Sequence, residues 1–472
     1  MKRLFLGFLS FLFLTFAACG SKDTALPPYG QGNREDFEQF LTEIEPKEDP
    51  WTEEELQTYD SYLQPETFAH VFSEEEIQEL AKRKKNPKTV TAQQTVEDVT
   101  LAFDLLAYGY GGYHYFGGDE VFYPIRDSIL AELKTKDTVK TNDLWELLWE
   151  SLSPVIIDRH FHIATKQSRD AIYEREYAQS TYFVRDLYFD DPTDVDSQYV
   201  KRTIGPDGAL TYCLAAVCLN PDTLPTTMTI EGVTHNLSWQ LARPMAHSDF
   251  TLARVYSETT VADGQLPVLR LFSFDGSEKK LNEFAATGTS YREKPLFVLD
   301  LRGNPGGNDG YAHTWMKNFC EKNITEKELW SKKVSTCYTT VYGGFVNSQG
   351  GVWRTSRSDG TLWRTDNLVF VLIDDNTSSS GESFTNMLTL GKQVVLVGTN
   401  TNGCLNFGNA YELYLPNTGI ELRFGANCCF YQSLEHTDGI GYSPDLWVEP
   451  EDSLDAVVRL CNYYGLYGEN GN

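Results

Sequence analysis

Basic charge is scarce in this chain. Its 472 residues carry 40 Lys and Arg against 67 Asp and Glu, a net charge of −27. Nucleic-acid binding needs a counterion-releasing basic surface, and no such surface stands out. The same scarcity argues against electrostatic adhesion to anionic lipid. No pair of CxxC motifs has zinc spacing. No GxxxxGK[ST] run is present, which excludes a P-loop. No internal repeat or low-complexity block appears, so a solenoid is also out. What is present is globular: 41% hydrophobic and 23% charged residues, over a length that suggests two or three domains.

The start of the chain is unlike the rest. Met1-Lys2-Arg3 is basic, and Leu4 to Ala18 is a nearly unbroken apolar run. That run is short for a membrane span and has the length of a signal h-region. It ends Phe16-Ala17-Ala18-Cys19, which resembles the lipobox of bacterial lipoproteins, with Phe16 where Leu is usual. The resemblance implies that residues 1–18 are a signal peptide and that Cys19 is lipidated. Residues 19–37, rich in Gly, Pro and polar residues, read as a flexible tether. The expected location is the bacterial cell envelope, periplasmic or outer surface. Each buried CH₂ of the lipid adds about 0.8 kcal/mol of membrane affinity. Eight further cysteines remain, and export permits disulfides. Cys213 with Cys218 would clip a hairpin, and Cys320 with Cys337 would close a short loop.

Residues 38–168 read as helical. Thr52-Glu53-Glu54-Glu55 and Ser73-Glu74-Glu75-Glu76 are helix starts, and Val96–Tyr108 and Thr141–Leu152 have helix-spaced apolar residues. Between them Tyr108–Gly118 is a glycine-broken aromatic stretch, read first as a packed loop. Residues 169–252 show short alternating runs (Thr181–Leu187, Thr227–Ile230, Leu237–Leu241) and read as a small β-rich region, a possible degenerate PDZ domain. Residues 253–472 read as α/β. Val268–Phe272, Leu296–Asp300, Leu368–Ile373 and Val394–Val397 are predicted strands, and Tyr311–Phe319 and Gly381–Leu390 are predicted helices.

Two stretches carry chemistry. In Leu299-Asp300-Leu301-Arg302-Gly303-Asn304-Pro305-Gly306-Gly307 a strand runs into a glycine turn, whose backbone N–H groups can face a developing oxyanion. In Leu368–Glu382 a strand runs into Thr377-Ser378-Ser379-Ser380-Gly381-Glu382. A serine opening a helix feels the positive end of its dipole. A lone serine there is more often an N-cap.

Together these stretches, with Asp438-Gly439-Ile440-Gly441-Tyr442-Ser443-Pro444-Asp445, resemble the C-terminal processing (tail-specific) protease family of serine peptidases. The resemblance implies a crotonase/ClpP-like α/β core with an N-terminal helical domain. It implies Ser379 as nucleophile, three residues before Glu382. The oxyanion donors would be the Ser380 amide and one from Gly306 or Gly307. Many members place a lysine base twenty-five residues after the serine; here that position is Cys404. A second, tricorn-type branch uses a histidine in a Leu-x-Asp-x-His setting, and Ile156-Ile157-Asp158-Arg159-His160 is in register with it. His162 would share the face of His160 if the segment is a strand. The acid orienting the histidine would be Asp438, with Glu435 as the alternative.

The implied function is an exported, lipid-anchored serine endopeptidase acting on a polypeptide. No metal or organic cofactor is implied, nor any nucleic acid, and the membrane is reached through the lipid anchor only. The alternative is an inactive relative that binds peptide or another ligand in the envelope.

Overall fold

The structure is a computed structural model, and it describes residues 28–64, 70–166, 168, 179–246, 254–343, 352–436 and 438–467. The predicted signal peptide, Cys19 and the first part of the predicted tether lie outside the described residues. No helix among those described is long and apolar enough to cross a membrane.

The end of the predicted tether is already part of the fold. Asn33 caps α1 (Arg34–Ile44), accepting from the Glu35 amide at 3.2 Å. Phe37 and Phe40 give this helix an apolar face and are both buried. Helices α2 (Glu53–Ser61) and α3 (Glu74–Leu80) open at Thr52 and Ser73 with full capping boxes, as their sequences suggested. Then follow β1 (Thr89–Thr91), α4 (Ala92–Gly109), α5 (Gly118–Leu133), β2 (Thr138–Lys140), α6 (Thr141–Leu152) and β3 (His162–Ala164). The aromatic stretch packs between α4 and α5. Gly111 must be glycine there, because a Cβ would meet the Asn427 carbonyl oxygen at 2.1 Å.

The middle region is β-rich. Strands β4 (Ser180–Phe189), β5 (Val200–Ile204), β6 (Leu210–Cys218), β7 (Thr227–Ile230), β8 (Val233–Asn236) and β9 (Trp239–Leu241) form a four-stranded sheet of order β5-β6-β4-β9 and a separate β7–β8 hairpin. No α-helix occurs among the described residues 179–246. All eight described cysteines are free thiols, so neither suggested pairing forms. Cys213 and Cys218 lie on one strand, where five residues span roughly 16 Å, beyond disulfide reach. Cys320 packs against one hydrophobic core and Cys337 sits inside another.

The C-terminal half is built on one sheet. It comprises β10 (Tyr256–Val261), β11 (Leu266–Leu271), α7 (Glu278–Arg292), β12 (Leu296–Asp300), α8 (Gly310–Cys320), β13 (Lys327–Val334), α9 (Thr336–Tyr342), β14 (Val352–Asp359), β15 (Leu368–Ile373), α10 (Ser380–Thr389), β16 (Val394–Gly398), β17 (Ala410–Tyr414), β18 (Glu421–Gly425), β19 (Asn427–Tyr431), β20 (Leu446–Trp447) and α11 (Ser453–Tyr463). The six-stranded order is β10-β11-β12-β15-β16-β20, parallel except for the β10 edge. The three central strands read as unbroken apolar runs because both faces are covered. Phe284, Trp315 and Phe384 from α7, α8 and α10 pack on one face. Phe37, Val457 and Leu460 from α1 and α11 pack on the other.

A second junction matters more for function. Strand β3 pairs with β18, Arg423 facing His162 and Leu422 facing Ile163. The N-terminal helices therefore share one core with β17 and β18, with Phe103, Leu148, Leu413 and Phe424 in it. The predicted boundary at 168 divides the chain but not this core.

Candidate active site

Ligands in open α/β sheets bind beyond the carboxyl ends of the strands. Three adjacent strands deliver the candidate residues there: β12 leads to the glycine turn, β15 to Ser379 and β16 to Cys404. The turn is held from several sides. Arg302 grips Asp300 through two hydrogen bonds of 2.7 and 2.8 Å, so this charged pair fixes the strand end. Asp374 accepts from the Gly303 amide at 2.9 Å. The Asn304 carbonyl accepts from the Ser378 amide at 2.9 Å, stitching the turn to the serine segment.

Ser379 is more than a helix cap. It precedes α10 with φ 51° and ψ −118°, far from the extended geometry an N-cap residue normally takes. A non-glycine residue in this region is strained, and the surroundings must hold it there. They do so through Glu382. Its buried carboxylate accepts from the Ser379 amide (3.0 Å), the Cys404 amide (2.8 Å), the Gly403 amide (2.7 Å) and the Thr401 hydroxyl (2.7 Å). Burial pushes the Glu382 carboxyl up to about 7, against the hydrogen bonds that favour its ionised form.

The oxyanion candidates divide. The Gly306 amide is taken by Asn304 Oδ1 at 2.9 Å. Gly306 also abuts the elbow: a Cβ on it would stand 2.9 Å from the Ser379 Cβ. Among the described residues neither the Gly307 nor the Ser380 amide has an acceptor. Both residues line the cleft with Ser379. The Ser380 hydroxyl donates to the Gly307 carbonyl at 2.8 Å and so fastens the two together.

His160 reaches the same cleft from the N-terminal region, in the turn before β3. It is buried, and desolvation, followed by the Arg423 charge, lowers its pKa to about 4. The imidazole is thus neutral at pH 7, as a general base must be. His162 does not share its face, because the strand begins only at His162. That ring stands 3.9 Å from Glu421 and does not line the cleft. Asp438 is buried beside His160, whereas Glu435 is exposed and does not line this cleft. Asp438 accepts from the amides of Arg159 (3.2 Å), Leu405 (3.0 Å) and Asn406 (2.8 Å).

Two partners of His160 were not foreseen. Asp158 accepts from the His160 amide at 2.7 Å and from the Tyr110 hydroxyl at 2.8 Å, and its carboxyl also bonds that of Asp438. Burial raises both acids, and the Asp438 charge raises Asp158 further. The Asp158 signal was present in the Asp-x-His motif; its pairing with Asp438 was not. The second partner is Cys404, whose Sγ stands 3.3 Å from Nδ1 and 3.4 Å from Nε2 of His160. Burial holds that thiol well above its ordinary pKa, so it stays protonated and is no base.

Ligand atoms of Asp158, His160 and Asp438 lie within 4.8 Å of one another, a set of metal-binding type. Their carboxylates are already engaged by amides, by Tyr110 and by each other, so the set reads as a hydrogen-bonded cluster that holds the His160 backbone through Asp158. The cleft that joins Ser379, Ser380, Gly307, His160 and Cys404 has a volume of about 680 Å³. Its lining also includes Glu326 and Glu328, giving room and polarity suited to an extended chain. Ser379 and His160 make no hydrogen bond to each other among the described contacts.

Residues 265–448 match peptidase family S41. The match includes Gly306, Gly307, Ser379, Cys404 and Asp438 and leaves His160 outside. No curated protein matches the chain. Similar solved structures include a putative peptidase from Parabacteroides merdae, 18% identical, covering 81% of this chain and 98% of that one with a TM-score of 0.44. Mature CPAF complexed with lactacystin is 12% identical, with 78% and 98% covered and a TM-score of 0.45. The photosystem II D1 C-terminal processing protease is 17% identical, with 81% and 98% covered and a TM-score of 0.37.

Proposed function

We propose that this chain, whose residues 265–448 match peptidase family S41, is an exported, lipid-anchored serine endopeptidase of the Ser–His kind. Ser379 attacks the peptide carbonyl and His160 takes its proton. The Ser380 and Gly307 amides receive the oxyanion, and the Asp158–Asp438 pair steadies the imidazole. The step balances: the proton moves from the Ser379 hydroxyl to His160 and then to the leaving amine, while the acyl group passes to Ser379 and on to water. The observation that carries this reading is the strained Ser379 elbow in one cleft with a buried, neutral histidine. Substrate must draw the Ser379 hydroxyl onto the imidazole, since catalytic hydrogen bonds often tighten only in the complex.

Hydrolysis of an unfolded polypeptide, such as carboxymethylated casein, by the full chain in detergent tests the reading. The pH profile has a defined sign. A general base works deprotonated, so burial of His160 shifts the acid limb down. The rate should rise as pH climbs through about 4 and be level by pH 6. A midpoint near the ordinary histidine value would show a base other than His160 as it stands here. The anchor is tested separately: the N-terminal peptide of envelope-derived protein should begin at Cys19 with diacyl mass added. An unmodified start elsewhere would refute lipidation.

One observation favours the alternative of an inactive binder. The Cys404 thiol presses on His160 where an active site needs the serine. Absence of casein hydrolysis by folded protein would favour it.

A further inference from the structure

The chain has a strongly basic concavity far from the cleft in residue content. Arg83, Lys84, Lys85, Lys88, Lys140 and Lys166 line one cavity of about 810 Å³, and no carboxylate lines it. It shares no residue with the cleft that holds Ser379. Six cations converge here in a chain of net charge −27. The run Arg83-Lys84-Lys85 was visible in the sequence, but Lys140 and Lys166 are distant from it along the chain.

The fold holds these segments together firmly. Asn86 donates to the Thr418 carbonyl at 3.0 Å and accepts from the Lys166 amide at 3.1 Å. The Lys88 carbonyl accepts from the Thr141 amide at 3.1 Å, and β1–β2 pairing sets Lys140 opposite Thr89. Gly419 lies so near that a Cβ would meet the Lys85 carbonyl oxygen at 2.7 Å. The cations themselves stay mostly uncompensated. Lys84 pairs with Glu79 at 3.4 Å, and Lys140 approaches Asp143 at 3.9 Å. Arg83, Lys85, Lys88 and Lys166 have no ion-pair partner among the described residues. Like charges gathered this way repel, and core packing does not require them there, because their heads are in solvent.

We propose that this cavity is a binding site for a phosphate-bearing anion, carried either by a lipid headgroup or by a soluble molecule. Three features suit a phosphate-bearing anion. Five of the six cations are lysines, compact point charges of the kind that bind phosphate, and Arg83 adds a planar fork that matches phosphate oxygens bidentately. The twelve-residue α6 begins in the wall at Thr141, and the positive end of its dipole adds to the field. Its N-cap is Lys140, which has no acceptor, while α2, α3 and α4 are closed by capping boxes. The sequence-based expectation that the membrane is met through the lipid anchor only would then be too narrow, because a composition average hides a local patch.

The test is lysine acylation of the full chain in neutral detergent, read site by site by peptide mass spectrometry. The probe is tripolyphosphate. In parallel, the protein is placed in phosphatidylglycerol or in phosphatidylcholine nanodiscs. Tripolyphosphate should slow acylation at Lys85, Lys88, Lys140 and Lys166 at least tenfold, and leave Lys279, on exposed α7, unchanged. Added protection in phosphatidylglycerol over phosphatidylcholine assigns a lipid headgroup; its absence, with tripolyphosphate protection intact, assigns a soluble phosphate. The triple variant Lys84→Gln, Lys85→Gln, Lys88→Gln should lose protection at Lys140 and Lys166, and the corresponding Arg variant should keep it. Equal protection by polyglutamate would overturn the proposal in favour of an acidic peptide. Equal protection at Lys279, or protection unchanged in the Gln variant, would overturn it as non-specific screening.

Discussion

Ser379→Ala and His160→Ala should each lower kcat for casein hydrolysis by about 10⁴-fold or more, and the double variant should be little worse than either. Residues that act as one unit are non-additive in this way, because removing the nucleophile leaves the base nothing to activate. Near-additive losses would mean that the two groups work independently. The Ser379→Ala protein should remain folded, since the fold holds that position by the backbone, through its amide and Glu382. His160→Ala removes a buried ring and opens a space against Cys404, so its stability must be measured alongside. Asp158→Asn and Asp438→Asn should cost less than either, because each leaves the other acid behind His160.

The second large effect is on stability. Glu382→Ala should destabilise the protein by at least about 3 kcal/mol, seen as a lower urea midpoint. Four donors from two segments would lose their acceptor: the Ser379 amide on one, and the Gly403 and Cys404 amides and the Thr401 hydroxyl on the other. Leaving a buried donor unsatisfied costs about 1–3 kcal/mol, and partial water entry relieves some of the total. The strained backbone at Ser379 would also lose its restraint, so activity should fall even where the variant stays folded. Glu382→Gln, which keeps one carbonyl oxygen but must turn an NH₂ toward two of the donors, should fall between. An unchanged midpoint for Glu382→Ala would show that Glu382 does not hold the elbow.

Local signals in the sequence were faithful where local physics decides. The apolar runs Leu296–Asp300 and Leu368–Ile373 are strands over those residues, and Thr141–Leu152 is a helix over its predicted span. Capping residues marked α2 and α3. Signals failed where partners lie far apart in sequence. Helix α5 follows Gly117, starts on Gly118 and contains Pro124, two breaker residues in a helix that tertiary packing nonetheless keeps. Strand β13 carries Lys327 and Lys333, a residue type that is mostly exposed. In the fold they are buried, one bonded to Asp49 and the other to the Ala107 carbonyl. The tether was read from composition, which does not register that Phe37 and Phe40 find a core at α11.

The candidate site divides along the same line. Ser379, Glu382 and the glycine turn are contiguous motifs, and the sequence placed them on the right strand ends. Asp438 was preferred over Glu435, and the two differ in the fold as a buried acid beside His160 and an exposed one. The contact between His160 and Cys404 spans 244 residues and arises from the pairing of β3 with β18, so no local pattern could announce it. The lysine position therefore reads differently in three dimensions: the thiol fills space against the imidazole and supplies no base.

The most direct test of the Ser–His assignment is covalent labelling of the full chain in detergent with a fluorophosphonate, followed by peptide mass spectrometry. The account predicts a single adduct on Ser379, lost in Ser379→Ala and reduced by orders of magnitude in folded His160→Ala. An adduct on Ser378 or Ser380, or labelling of Ser379 at an undiminished rate without His160, would contradict it.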